Sequence, residues 1–340
     1  MNKKVLITGA AGFIGSNLSY YLNKVRPDWD LYLLDALTYA GNIANISPLL
    51  DKHNITFIKQ DITDEENINI LFEDKKFDIV FHLAAESHVD RSIHSAIEFV
   101  KTNILGTQNL ISASRAASVA RFVHISTDEV YGALGPTGKF YETTPLDPTS
   151  PYSASKASSD LLVLANCKTH NFNAVVTRCT NNYGPYQFPE KLIPLFITNL
   201  MEDKQVPVYG DGLQSRHWIY VEDHCEALLV VAEKGESGEV YNVGGPEDAE
   251  VTNIEVTKAI LKGLNKSESL IKYVEDRLAH DRRYCVDINK LSNELGWKPK
   301  IGFHEGLEKT IKWYQNNQDW WKTVKSGEYL EYYKKQYGDK

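Results

Sequence analysis

Lys4-Val5-Leu6-Ile7-Thr8-Gly9-Ala10-Ala11-Gly12-Phe13-Ile14-Gly15 is the stretch that decides the fold. Its first five residues are an apolar run rich in β-branched side chains, the composition of a buried strand. Gly9, Gly12 and Gly15 follow, and Ser16 to Leu22 then places apolar residues at helical intervals. Strand, glycine turn and helix in that order make a phosphate cradle. The glycines let the backbone approach a pyrophosphate, and the helix N-terminus offers free N–H groups and partial positive charge. A second apolar run, Leu31 to Leu34, ends in Asp35, twenty residues past Gly15. A carboxylate there accepts hydrogen bonds from a ribose 2′-OH and repels a 2′-phosphate, so NAD is expected rather than NADP. The structural alternative is a glycine turn that only packs helix on strand. The strand, the helix and Asp35 together weigh against it.

The same rhythm repeats downstream. Ile55 to Lys59 runs into Asp61-Ile62, and Asp78 to Leu83 into Ala84-Ala85-Glu86-Ser87. Arg121 to Ile125 runs into Ser126-Thr127-Asp128-Glu129, and Asn173 to Thr177 into Arg178-Cys179-Thr180. Helical spacing fills the intervals, notably Thr102 to Ala117 and Tyr152 to Thr169. The alternation predicts an α/β fold, a doubly wound Rossmann-type parallel sheet. Ligands of such sheets sit at the carboxyl ends of the strands. Gly9, Asp35, Asp61, Ala84, Ser87 and residues 127–129 all fall at such ends and converge on one site. The regularity stops at Asn182-Tyr183-Gly184-Pro185. Residues 1–181 are therefore expected to form the cofactor domain with the catalytic residues. Residues 182–340 are expected to form a smaller α/β substrate lobe that returns a strand, Ser237 to Val243, to the sheet. The aromatic, lysine-rich end from Trp313 to Tyr337 predicts a terminal helix packed on the body.

A net charge of −8 argues against a nucleic-acid-binding surface. The apolar runs are too short for a membrane-spanning helix, and Met1-Asn2-Lys3-Lys4 enters the first strand with no room for a signal peptide. Cys167, Cys179, Cys225 and Cys285 have neither disulfide nor metal spacing, and the ten histidines form no zinc pattern. Free thiols, no metal and a cytoplasmic location are the expectation.

Two stretches carry chemistry. Tyr152 and Lys156 lie four apart, one helical turn, and so share a face. A tyrosine base beside a lysine can take a proton from an alcohol, which is half of alcohol oxidation. Thr127-Asp128-Glu129 brings two further carboxyls to the same region. That is more than oxidation needs, and it indicates a second proton transfer such as loss of water. Alone, an Asp-Glu pair reads as a solvated turn or helix cap. Its place before Val130-Tyr131-Gly132 and near the Tyr-Lys pair favours function.

With these motifs the chain resembles the extended short-chain dehydrogenase/reductase family, and within it the dTDP-glucose 4,6-dehydratases. The likeness runs through Ala84 to Ser92, Ser150 to Ser158, Asn181 to Tyr186, Phe188 to Pro194 and His280 to Tyr284. The Tyr-x-x-x-Lys pair identifies only the superfamily, whereas Asp128-Glu129 in this context separates dehydratases from sugar 4-epimerases. The resemblance implies an NAD site of Gly9, Gly12, Phe13, Ile14, Gly15, Asp35, Asp61, Ile62, Ala84, Ala85, Ser87 and Thr102, joined by Tyr152 and Lys156. It implies Thr127, Asp128, Glu129, Tyr152 and Lys156 as catalytic residues. Ser87, Asn182, Lys191, Pro207, Tyr209, Arg216, Asn253 and Arg277 are implied to bind a nucleoside-diphosphate sugar, with the two arginines at the diphosphate. Each of these arginines is a surface charge on the alternative reading. The resemblance also implies a homodimer, made by the helical segments Asn103 to Ala117 and Tyr152 to Thr169.

Departures from the family pattern are Ala11 for glycine, Thr180 for serine, His217 for aspartate and Ala279 for glycine. A longer turn over Gly244 to Asn253 is another. Most lie in the substrate lobe, so the reaction type is firmer than the substrate. Either a dTDP- or a UDP-linked hexose fits the residues. A UDP-N-acetylhexosamine dehydratase, with or without inversion at C5, is an alternative. A non-catalytic NAD or nucleotide-sugar binder on the same fold is another, and the complete acid–base set argues against it.

Overall fold

In a computed structural model that describes residues 2–276 and 281–326, the apolar runs become strands that bury both faces. The central sheet contains β1 (Lys4–Thr8), β2 (Asp30–Asp35), β3 (Ile55–Lys59), β4 (Ile79–His82), β5 (Arg121–Thr127) and β6 (Ala174–Cys179). Alternation along each strand divides two cores. Val5, Ile7, Leu31, Leu33, Val123 and Val175 enter one, with Leu18 and Leu22 of the helix Phe13–Val25. Leu6, Leu34, Phe122, Ala174 and Val176 enter the other, with Leu110 of the helix Thr107–Ala116 and Val163 of the helix Pro151–His170.

The second part of the chain supplies β7 (Asn181–Tyr183), β8 (Val206–Tyr209), β9 (Ser215–Tyr220), β10 (Val240–Val243), β11 (Glu250–Thr252) and β12 (Ile271–Val274). Strand β10 returns to the central sheet beside β6, inside the segment expected to do so. The sheet order is β10-β6-β5-β4-β1-β2-β3, with every pairing parallel. This is the doubly wound α/β arrangement, and the chain reverses direction across the sheet between β1 and β4, where such folds open a ligand crevice. The second part of the chain also has its own small sheet, β11-β9-β7, a pair β12-β8, and a core that includes Tyr183, Phe196, Trp218 and Phe303.

Local sequence fixes the element that matters most. The helix Pro151–His170 starts at a reciprocal capping box between Ser150 and Ser153, with Pro151 in its first turn. It ends at Asn171 in left-handed conformation, φ 52°. Tyr152 and Lys156 thus sit in its first two turns. The segment expected as one helix from Thr102 is two. Val100–Gly106 is wound as a π-helix and Thr107–Ala116 as an α-helix. Such wide turns are frequent at functional sites. The long turn after Gly244 is not idle length, because it forms β11, pairs antiparallel with β9 and delivers Asn253.

At the chain end, the helices Phe303–Asn316 and Gln318–Val324 pack on the body. The Trp320 indole donates to Asn45 Oδ1 at 2.8 Å, and Trp321 is buried. The rest of the expected terminal helix lies outside the described residues. Among the described residues no helix is long and apolar enough to cross a membrane. Among the same residues no group of three or more His, Cys, Asp or Glu is placed to hold a metal ion.

Candidate active site

A cavity of about 320 Å³ lies at the carboxyl ends of the central strands, and every residue expected to bind NAD lines it. The glycine turn is shaped by close approach. Gly9 has φ +69°, and a Cβ on Gly15 would come within 2.1 Å of the Gly9 carbonyl oxygen. Ala11 is accommodated. Its N–H donates to Asp35 at 2.9 Å, and its carbonyl accepts from Asn42 N–H at 3.1 Å and Asn45 Nδ2 at 2.8 Å. Asp35 takes a second backbone bond from Leu37 at 2.8 Å. Burial pushes its pKa up, and these backbone bonds pull it down. A carboxylate offers about four acceptor sites, so two backbone bonds leave capacity for ribose hydroxyls. Asp35→Ala is expected to weaken NAD binding by roughly ten- to a hundredfold, the worth of a hydrogen bond to a charged group. NADP should gain relative to NAD. Calorimetric titration of both cofactors checks this, and equal affinities in the unaltered protein would remove the assignment.

The loop after β4 is held from behind. Asn103, in the π-helical segment, accepts from Glu86 N–H at 2.8 Å, donates to Glu86 O at 3.0 Å, and donates to Ser155 Oγ at 2.8 Å. The helix carrying Tyr152 and Lys156 is thereby tied to the loop carrying Ala84, Ala85 and Ser87.

The five catalytic candidates line the same cavity. Lys156 is buried and donates from Nζ to the Ile125 carbonyl at 2.7 Å. Burial lowers its pKa to about 8. Tyr152 is raised well above 10, first by burial and then by the Glu129 charge, while a hydrogen bond with Thr127 pulls the other way. A phenolate there needs added positive charge. A nicotinamide cation in this cavity fits that need, as the tight glycine turn and Asp35 fit a dinucleotide. Asp128 is 1% exposed, and its Oδ2 has no hydrogen-bond partner among the described residues. Burial, then the adjacent Glu129, pushes its pKa up to about 8. Its carboxyl therefore keeps its proton at neutral pH. Thr127 joins the two acids, donating to Asp128 Oδ1 at 3.4 Å and accepting from Glu129 N–H at 3.3 Å.

A second cavity of about 180 Å³ shares Glu129, Asn181, Asn182, Gln187, Glu190 and Lys191 with the first, so the two form one cleft. Asn182, Lys191, Pro207, Tyr209, Arg216 and Asn253 line it, while Ser87 lines the cofactor half. Lys191 Nζ reaches back to the Ser87 carbonyl at 3.0 Å. The Arg216 guanidinium lies 4.4 Å over the Tyr284 ring and donates to the Ser215 and Asp281 carbonyls. Asn253 Oδ1 is buried without a hydrogen-bond partner among the described residues. Arg277 lies outside the described residues. His217 points away from the cleft and meets the Pro246 carbonyl at 3.1 Å, because alternation sends only Arg216 and Trp218 inward.

Several cleft residues were not singled out from the sequence. Glu190 is buried with its pKa pushed up to about 7, chiefly by burial, and lies 3.6 Å from both His88 and Arg91. Tyr284 and Asn181 also line the cleft. The Pro189-Glu190-Lys191 stretch carried a signal, but a carboxyl beside a lysine expected to face the substrate has no obvious job in sequence alone.

The model of the GDP-mannose 4,6 dehydratase family matches residues 6–310. A dTDP-glucose 4,6-dehydratase from Streptomyces niveus is 47% identical over 327 residues, covering 95% of this chain and 96% of that protein. The crystal structure of a dTDP-glucose 4,6-dehydratase from Streptomyces venezuelae with NAD bound is 44% identical, with a TM-score of 0.91 over 94% of this chain and 99% of that one. A UDP-glucose 4-epimerase from Thermus thermophilus, solved with NAD, is 29% identical, with a TM-score of 0.85 over 92% and 99% of the two chains.

Proposed function

The chain belongs to the GDP-mannose 4,6 dehydratase family, and from that premise we propose that it is an NAD-dependent dTDP-glucose 4,6-dehydratase. The product would be dTDP-4-keto-6-deoxyglucose. The observation that carries the reading is the buried Asp128 beside Glu129 in one cavity with Tyr152 and Lys156. An oxidation or a 4-epimerisation has no use for that acid. Elimination of water does.

Bound NAD supplies a hydride acceptor at C4 and later a donor at C6, so the reaction has no net redox change. The chain supplies the proton transfers. Tyr152, with Lys156 beside it, takes the C4 hydroxyl proton while Thr127 holds the C4 oxygen. The C4 ketone makes C5–H acidic because the resulting carbanion delocalises as an enolate. Glu129 takes the C5 proton, Asp128 gives its proton to the departing C6 hydroxyl, and C5 is reprotonated as C6 is reduced. Arg216, Lys191, Asn182 and Asn253 bind the diphosphate and nucleoside, with Pro207 and Tyr209 beside the base.

Product analysis by mass and NMR with dTDP-glucose, UDP-glucose and UDP-N-acetylglucosamine tests this. dTDP-glucose should lose one water with the highest kcat/KM. Preference for either UDP-sugar would overturn the nucleobase assignment, and an isomer as product would overturn the reaction.

A homodimer is part of the proposal. Ile93, Ile97, Val100 and Leu105 are exposed at 39–54%, and Leu161 on the Pro151–His170 helix at 58%. Apolar side chains on neighbouring exposed helices are what a subunit contact covers. Light scattering should give twice the mass of a chain, and Ile97→Glu with Leu161→Glu should give a monomer. A monomeric parent protein would reject it. We also place the enzyme in the cytoplasm, where four free cysteines suit a reducing compartment.

A further inference from the structure

The mechanism leaves one fully buried acid unused. Asp160 lines neither cavity. It has no exposed surface and accepts from Arg178 Nε at 2.9 Å. Arg178 is in turn held by Tyr131, donating to its hydroxyl at 3.0 Å with the guanidinium 4.8 Å over the ring. His124 Nε2 lies 3.3 Å from Asp160 Oδ1, but burial holds that histidine down near 4, so it brings no charge at pH 7. A buried ion pair is weak evidence of a stabilising role, since apolar groups of similar volume often do as well.

Position supplies the missing reason. Asp160 is four residues past Lys156, one turn along on the same helix face. Lys156 is buried, and its ammonium donates to a neutral carbonyl. The titratable groups that act on it are Asp160 on its own helix, His124 from β5, Cys179 from β6 and His82 from β4; Tyr152, Asp128 and Glu129 line the same cavity, and Arg178 of β6 faces it through Asp160. At pH 7 Tyr152, Cys179 and both histidines are uncharged, and Asp128 holds its proton. Arg178 adds a second positive charge. Glu129, the remaining carboxylate, lines both halves of the cleft and has the C5 proton as its proposed job.

We propose that Asp160 is a positioning residue for the catalytic pair: pinned by Arg178, its carboxylate is the internal counter-charge that keeps the Lys156 ammonium charged beside Tyr152. The inference rests on the proposed role of Lys156 in oxidation, but its test does not depend on turnover. Protein labelled with ¹³C at lysine Cε reports the titration of Lys156 by NMR, with the resonance assigned by Lys156→Met. Asp160→Asn should move the midpoint down by roughly one to two pH units, the size of a unit-charge effect between helix neighbours four apart, ~5–6 Å by their Cβ spacing, at an effective dielectric of ~20. Arg178→Gln should move it up, and Asp160→Glu should leave it near the parent value. The high-pH limb of enzyme-bound NADH formation should shift in parallel. A Lys156 midpoint unmoved in folded Asp160→Asn would overturn the inference. If that variant does not fold, Arg178→Gln decides by the opposite sign of its shift, and no shift there overturns the inference equally. If no sugar nucleotide forms NADH on the parent enzyme, the proposed reaction fails, while the NMR midpoints still decide the role of Asp160.

Discussion

Tyr152→Phe is expected to abolish the first half of the reaction, leaving no enzyme-bound NADH on mixing with dTDP-glucose. The substitution removes one oxygen and little else. The ring packs edge-on against Phe99 at 6.3 Å, and phenylalanine keeps that contact. What is lost is the group proposed to take the C4 hydroxyl proton while Thr127 holds the oxygen. The phenol starts at a disadvantage, because burial and the Glu129 charge raise its pKa well above 10. Lys156 and a nicotinamide cation are the positive charges that offset this. The loss should be at least on the order of 10²–10⁴-fold, the span of general-base catalysis. Stopped-flow absorbance in the nicotinamide band reads the step directly. Parent-like NADH formation in the variant would move the base elsewhere.

The parts of the site legible in sequence are those whose geometry is local. The Gly9–Gly15 turn is read correctly because its constraint is steric: a side chain at Gly15 would strike the Gly9 carbonyl within the same turn. Tyr152 and Lys156 are fixed by helical spacing, and the Ser150 capping box that places them is itself a short motif. Asp35 follows from the length of one helix and one strand. The parts that escaped depend on contacts between distant segments. The Asn103 clamp on Glu86 requires the π-helical turn, whose composition is ordinary. The Glu190 cage needs His88, which caps the helix Val89–His94, and Arg91 within it, about a hundred residues away in sequence. His217 looked like a change in the binding site because it follows Arg216. Strand alternation turns it to the opposite face, where it meets Pro246 instead. Whether a residue in a short strand faces the cleft is a question of register, and register is set by β7 and β11 on either side of β9.

Glu129→Gln and Asp128→Asn are expected to stop the enzyme one step later, with NADH formed and water retained. The two acids differ in environment, and that divides their roles. Asp128 is enclosed and holds its proton up to about pH 8, so it can donate. Glu129 is partly exposed and lines both halves of the cleft, so it can receive the C5 proton from bound sugar. Glu129→Gln should form bound NADH and then stall. Asp128→Asn should slow elimination by on the order of 10²–10⁴-fold through loss of the acid. In the parent enzyme elimination should fall as pH rises through about 8, because Asp128 then loses the proton it must give. The same shift has a sign in stability. The native state keeps a proton that the unfolded chain releases near pH 3.8, so this contribution is whole below 3.8, declines as pH rises, and is gone above about 8. Thermal melts at pH 5 and pH 8 should therefore show Asp128→Asn gaining on the parent protein at the higher pH, and a constant difference would count against a protonated Asp128. Solvent deuterium should enter C5 of the product, while the C4 hydrogen should reappear at C6 without exchange. Hydrogen at C6 drawn from solvent, or full turnover in Glu129→Gln, would break the assigned sequence of proton and hydride transfers even with every residue in its place.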